Sequence, residues 1–442
     1  MSSPIKVTVI GAGSIVFSLA LVKDICLTEG LAGSKIHFMD INAETLDIVY
    51  NLAVRYAQDL GANLQFAKTL NRQEALRDAD FVVNTATITD EYVMRATREL
   101  AAKHGYFYGH TGMPTYWNLQ LMLDIARDME RICPEAWLVQ AGNPVFAGTT
   151  LVTRQTGIKM VGLCHGHYGY LEIARTLGVE HPEKVTWQAP GLNHNIWLTH
   201  FYYEGQNLYP VLDEWIENKA PAYWEEMQKR ESGIPAQMSP AAIHQYHMYG
   251  LMPVGDTPRV GGWWYHTDLE TRMRWYGGPI GGGDTPEGRE RIIRSKEQKY
   301  AEMMKAALDP KVRPIQVFGS TKTREQHVPI IDALVNDHEG QFQVNVPNRG
   351  ALEGVADDIV VEVPAVINKR GILPLHVGKL PPKIMLTQIL PEVMHMELGL
   401  LAFKTGDRSI TLWNALYSHK TRSYDQAYET LEELFSLPEN KD

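Results

Sequence analysis

The sequence predicts an α/β protein: a mostly parallel sheet over residues 1–166, followed by an α+β second domain over residues 167–442. Three observations lead there. β-like runs alternate with helical patterns through the first part of the chain, which is the mark of parallel strands covered by helices on both faces. Several runs (VTVI, FVV, WLV) are almost continuously apolar, as strands buried on both sides are. After residue 166 the alternation stops and helices dominate. A length of 442 residues also exceeds what one core usually fills, so more than one domain is expected.

Taken in order, strands are expected at Ile5–Ile10, Lys35–Asp40, Asn63–Lys68, Phe81–Ala86, Trp137–Gln140 and Met160–Cys164. Helices are expected between them at Phe17–Thr28, Ala43–Leu60 and Trp117–Ile132. The second part starts with a helix at Tyr170–Leu177 and strands at Val185–Ala189 and Trp197–Tyr203. Long helical stretches follow at Pro210–Ser232 and Arg289–Ala307. A strand pair is expected near Phe342–Val346 and Ile359–Val363, and the chain closes in helices. Gly277–Gly288 (GGPIGGGDTPEG) reads as a surface loop, because no Lys-Ser/Thr follows it to make a phosphate cradle. The apolar stretch Val393–Phe403 reads either as a core helix or as a subunit contact.

Composition excludes several classes of function. The net charge of −10 and the lack of any Lys/Arg-rich run disfavour nucleic acid. No apolar stretch reaches the ~18 residues of a membrane span, and MSSPIKVTVIGAG runs as a strand into a loop rather than as a secretory leader. Three cysteines, Cys26, Cys133 and Cys164, make no disulfide framework; a reduced, cytoplasmic protein is expected.

The first strand runs directly into Gly11-Ala12-Gly13-Ser14, which opens a helix. Glycine first permits the tight turn, and glycine again lets backbone approach a pyrophosphate at the helix N-terminus. The third glycine of the full dinucleotide fingerprint is replaced by Val16. Asp40, closing the second strand, suits ribose hydroxyls and so NAD over its 2′-phosphorylated form; its other reading is a helix cap in DINAE. Asn84-Thr85-Ala86 closes the fourth strand, where such sheets bind ligands.

Cys164-His165-Gly166-His167-Tyr168-Gly169 closes the sixth strand at the same edge, and Gly191-Leu192-Asn193-His194-Asn195 follows later. A thiolate and an imidazole can share a divalent metal. By spacing alone, Cys164 reads equally as a buried core cysteine, His194 as an interior histidine and Asn143-Pro144 as a turn.

With these blocks in hand, the sequence resembles glycoside hydrolase family 4. The resemblance runs in order through GAGSIVFS (11–18), HFMDIN (37–42), FVVNTA (81–86), QAGNPVF (140–146), CHGHYG (164–169), GLNHNIW (191–197), PVGDTPR (253–259), HVPIIDALVND (327–337), NVPNRG (345–350) and VVEVPA (360–365). The form CHGHYG resembles the α-glucosidase branch. The resemblance implies a lactate/malate dehydrogenase-like fold, a homodimer or homotetramer, and hydrolysis of a small-molecule α-glycoside with NAD+ and a divalent metal, usually Mn2+. It implies oxidation at C3, loss of the C2 proton, elimination at C1, addition of water and re-reduction. A metal at the C3 oxygen stabilises both alkoxide and enolate, while NAD+ carries the hydride.

Carried over by motif, Cys164 and His194 become metal ligands and Asp256 the base at C2. Gly11, Gly13, Ser14, Asp40, Asn84, Thr85 and Asn143 fall to the cofactor, with Asn143 also meeting sugar hydroxyls. His165 and Arg259 fall to the substrate. Asp256 also reads as a turn residue, Arg259 as a partner of a surface acid, and His167 as packing. One departure stands out: Gly105–Asn118 holds no acid to protonate the leaving group, which leaves Tyr108, His110 and Tyr116 as substitutes. The rival readings are α-galactosidase or α-glucuronidase of the same family, a plain 2-hydroxyacid dehydrogenase that would accumulate NADH, and a non-catalytic sensor.

Overall fold

A computed structural model describes residues 4–88, 91–107, 116–230, 234–260, 262–276, 286–437 and 440. Its first strands are β1 (Lys6–Ile10), β2 (Lys35–Met39), β3 (Gln65–Thr69), β4 (Phe81–Asn84), β5 (Trp137–Gln140) and β6 (Lys159–Gly162). They pair in parallel in the order β3-β2-β1-β4-β5-β6, the Rossmann order, which reverses between β1 and β4. Connecting helices are α1 (Ile15–Cys26), α2 (Ala43–Leu60), α3 (Arg72–Leu76), α4 (Glu91–Lys103), α5 (Tyr116–Ile132) and α6 (Val145–Gln155). Central strands are apolar because helices cover both faces: Val7, Val9, Val82, Val83, Leu138 and Val139 are fully buried. Edge strand β3 has no fully buried residue, which is why its apolar signal is weak and its start falls later than Asn63. β6 ends at Gly162, so Cys164 sits in the loop just beyond it.

The remaining strands are β7 (Thr186–Gln188), β8 (Gly191–Leu192), β9 (Asn195–Leu198), β10 (His200–Tyr203), β11 (Gln206–Asn207), β12 (Met252–Val254), β13 (Gly340–Pro347), β14 (Val360–Asn368) and β15 (Gly371–Pro374). β13 lies antiparallel to β6, and β14, β8, β9 and β12 follow outward, so one sheet of 12 strands crosses residue 166. That position marks a change of strand direction and not a break in the sheet. One apolar cluster accordingly joins Val7 and Phe38 to Val361 and Ile389.

Two expectations change. Trp197–Tyr203 is not one strand. β9 belongs to the large sheet, while β10 pairs with β7 and β11 in a second sheet, the chain turning at exposed Thr199. Pro210–Ser232 is two helices, Tyr209–Asn218 and Ala220–Gln228, because Pro221 in the second one's first turn lacks the N–H a continuous helix needs. The loop at 277–285 lies outside the described residues; Pro286 already begins the helix Pro286–Leu308. Val393–Phe403 falls within the helix Leu390–Thr405, with Met396 and Leu400 buried but Met394 and Leu401 exposed. Among the described residues no helix is long and apolar enough to cross a membrane.

Candidate active site

The carboxyl edge of the parallel strands gathers most of the singled-out residues. Gly11 has φ +81°, and a Cβ there would stand 2.5 Å from the Ala86 backbone, so only glycine lets the loop after β1 lie against the loop after β4. Thr85 Oγ1 donates to the Gly11 carbonyl at 3.0 Å and joins the same two loops. Half-buried Asp40 accepts the Gly13 N–H at 2.7 Å on Oδ2 and the Asn42 N–H at 2.9 Å on Oδ1. It is not the helix cap: Asn42 caps α2 through the Thr45 N–H. Ser14 caps α1 without a side-chain hydrogen bond and is exposed beside the glycines. Asn84 is fully buried; its Nδ2 donates to Gln140 Oε1 at 2.9 Å and its Oδ1 accepts the Ala86 N–H at 3.1 Å. Its side chain thus braces β4 against β5. Gly142 packs on the Ala86 carbonyl, bringing exposed Asn143, which precedes a cis proline, beside these loops.

The second cluster lies after β6. Cys164 is half-buried, and its loop meets the turn holding Asp256: a Cβ on Gly255 (φ +68°) would stand 2.8 Å from Gly166 Cα. His194 Nε2 is 3.5 Å from Asp256 Oδ2, and the Arg259 guanidinium is 3.5 Å from Asp256 Oδ1. Burial first, then the Glu362 charge, with a smaller part from Asp256, pushes the Cys164 thiol up to about 12. Sulfur, imidazole and carboxylate therefore converge. Among the described residues no group of three or more His, Cys, Asp or Glu side chains is arranged to hold an ion. Cys164 and His194 would supply two ligands and leave room for substrate oxygens, and thiolate with imidazole suits a divalent transition metal.

Other candidates make contacts of their own. His165 is exposed and lies 3.9 Å from Glu325 Oε1. His167 is buried, stacked on Trp187 at 5.2 Å, and pushed down to about 3 chiefly by burial; it packs. Tyr116 pairs its hydroxyl with Thr411 Oγ1 at 3.2 Å and tilts against Phe403, so it joins α5 to the C-terminal helices. Tyr108 and His110 lie outside the described residues. Sequence reasoning passed over Asn193 and Glu362, which sit directly behind Cys164 and His194. The visible signal was an acid in the middle of the apolar run VVEVPA.

Comparison with known proteins shows the family. Models of the family 4 glycosyl hydrolases match residues 6–179, and models of their C-terminal domain match residues 189–421. An α-galactosidase of Bacillus subtilis is 25% identical over 86% of this chain and 85% of its own. A probable 6-phospho-β-glucosidase of the same organism is 27% identical over 87% and 85%. A 6-phospho-α-glucosidase from gut microorganisms, solved with NAD and Mn2+, superposes with a TM-score of 0.79 at 19% identity, covering 98% of both chains. A lactate dehydrogenase from Eimeria maxima superposes with a TM-score of 0.56 at 15% identity over 92% of this chain and 97% of its own, which shows the shared dehydrogenase fold. With both of its halves matched, this chain belongs to the family 4 glycosyl hydrolases.

Proposed function

We propose that this glycoside hydrolase cleaves a small α-glycoside, an α-glucoside first, by the redox-elimination route with NAD+ and a divalent metal, Mn2+ foremost. The observation that carries it is the convergence of Cys164, His194 and Asp256 at the edge where the glycine turn and Asp40 also lie. When bound, the cofactors supply a hydride acceptor and a Lewis acid. The chain's own residues do the rest. Asp40 accepts from ribose hydroxyls, and the Gly11–Ser14 turn presents backbone N–H groups to the pyrophosphate. Asn84 and Thr85 set the crevice wall, and Asn143 hydrogen-bonds the sugar near the nicotinamide. Cys164 and His194 hold the metal; Asp256, within reach of solvent, takes the C2 proton. Arg259 and His165 contact the substrate. The preference for an α-glucoside rests on the CHGHYG resemblance. The relative named an α-galactosidase and the solved 6-phospho-α-glucosidase support an α-linkage, whereas the 6-phospho-β-glucosidase relative does not.

Arg259 beside Asp256 favours a second reading, an α-glucuronide, because a guanidinium can pair with a C6 carboxylate. Nitrophenyl α-glucoside, α-galactoside and α-glucuronide, assayed with NAD+, Mn2+ and a thiol reductant, separate these substrates. The test of the chemistry is turnover in D2O: the product carries deuterium at C2. Retained C2 hydrogen together with full activity after removal of all NAD+ overturns the redox route. Three unpaired cysteines accord with a cytoplasmic location, and the bare face at Met394 and Leu401 with a homodimer or homotetramer.

A further inference from the structure

We infer that Glu362 is a positioning residue of the Cys164–His194 centre: it fixes Asn193 behind the two side chains and sets a counter-charge there. This rests on the metal role proposed above and adds to it a residue that no motif assigned.

Glu362 lies mid-strand in β14, whose residues are otherwise almost all apolar and buried. It is 1% exposed and, among the described residues, pairs with no Lys or Arg. A lone acid in such a place costs several kcal/mol unless something compensates it, and an apolar residue would fill the space at no such cost. One row of register partners crosses the sheet here: Gly162 on β6, Asn345 on β13, Glu362 on β14 and Gly191 on β8. Cys164 follows the glycine at one end, and His194 follows the glycine at the other. Glu362 Oε2 accepts from Asn193 Nδ2 at 2.9 Å and from Asn345 Nδ2 at 3.2 Å. The Asn193 side chain also lies beside Cys164. Among the described residues, the buried Glu362 Oε1 has no hydrogen-bond partner.

His194 needs such support. Its φ of +65° is unfavourable for a side chain of this kind. The neighbours on both sides are pinned: Asn193 by Glu362, and Asn195 by the Gln388 carbonyl at 3.0 Å. Releasing Asn193 frees one side of the turn that aims the imidazole. The Glu362 carboxyl is held above its usual range by burial, opposed first by the hydrogen bond from Asn193. The protein thus keeps an acid behind two ligands without a full cation of its own to match it.

The probe is Co2+ in the NAD+-bound protein. In the parent protein it gives a thiolate-to-cobalt band in the near ultraviolet. Glu362→Gln keeps the volume and an oxygen for both amides but removes the charge; Glu362→Leu removes both. Glu362→Gln is expected to bind Co2+ about 10-fold or more weakly, the usual effect of losing an outer-shell partner. Glu362→Leu is expected to lose the band, and NAD+ affinity, which reports the fold, stays unchanged. If Glu362→Leu does not fold, Glu362→Gln decides alone. Parent-like Co2+ affinity and band in Glu362→Gln overturn the positioning role while leaving Cys164 a ligand. A parent protein that shows no thiolate band overturns the ligand assignment, and the positioning role with it.

Discussion

At the scale of single residues, Asp40 performs two tasks with one carboxylate. It ties the Gly13 N–H and the Asn42 N–H, so it shapes the glycine turn before any ribose arrives. Asp40→Ala is expected to weaken NAD+ by about 10- to 100-fold, the equivalent of one charge-assisted hydrogen bond of ~1.5–3 kcal/mol. Titration calorimetry measures it, and an unchanged affinity would mean the ribose lies elsewhere. Asp256 differs in kind, since it faces His194 and Arg259 rather than the turn. Asp256→Asn keeps the size of the side chain and removes the base. Turnover should fall ~10²- to 10⁴-fold, with NAD+ and Mn2+ binding retained. Steady-state kinetics beside equilibrium binding checks this, and near-parent turnover would move the base to another group. Cys164→Ser should lose Mn2+ binding while keeping NAD+; full activity of that variant in the presence of chelator would remove Cys164 from the centre.

At the scale of elements, two turns make the centre, and glycine is what lets them touch. Gly255 at φ +68° sits where a Cβ would press the Gly166 backbone at 2.8–3.0 Å. Gly255→Ala should therefore part the Cys164 loop from the Asp256 turn. A stability loss of ~1–3 kcal/mol is expected from the strained φ and the contact, with activity falling further than stability. Parent-like kcat/KM would show that the two turns need not meet. These turns also mark where sequence reasoning works. The parallel strands were legible because burial on both faces writes itself as VTVI or FVV, and their parallel pairing followed from βαβ alternation. The break at Thr199 was not legible, since an apolar strand entering one sheet and an apolar strand leaving for another read alike. Cys164, His194 and Asp256 were singled out through motifs, yet their approach depends on β13 and β14 inserting between distant segments, a contact no local pattern encodes. Glu362 was hidden for the converse reason: its strand was read for apolar periodicity, and one acid in VVEVPA did not disturb that reading. The helix Leu390–Thr405 sets Met396 in the core and leaves Leu401 exposed. Leu401→Glu should raise the monomer fraction in light scattering without lowering the melting temperature of the monomer. An unchanged mass would place any assembly surface elsewhere.

At the scale of the whole molecule, buried neutral histidines tie stability to pH. Burial lowers His37 to about 4, with Lys6 and Lys35 adding to the effect. It also lowers His327 and His419 to about 4, helped by His165 and by Lys420 respectively. In the unfolded chain these side chains titrate near their ordinary value of 6.5. Above that pH both states hold neutral imidazole, and the histidines add no pH dependence. As pH falls through 6.5, the unfolded chain takes up protons that the folded chain refuses, so the unfolded state gains. The loss continues until pH nears 4, where the folded histidines begin to protonate as well. Glu362 and Glu325, raised chiefly by burial, act in the opposite direction, because the folded state holds their protons more tightly. They oppose the histidines from their raised folded-state range down to the ordinary glutamate value of 4.5. The melting temperature of the metal-free protein is therefore expected to be flat above pH 7 and to drop between pH 6.5 and 5. His37 is a clean probe, because it lies on β2 and, among the described residues, its Nδ1 has no hydrogen-bond partner. His37→Gln cannot titrate, so its curve should fall less steeply through the same window, whatever its absolute stability. Calorimetric scans of both proteins at matched ionic strength decide the matter, and a parent curve that rises on acidification from pH 6.5 to 5 would mean that the buried carboxyls outweigh the imidazoles.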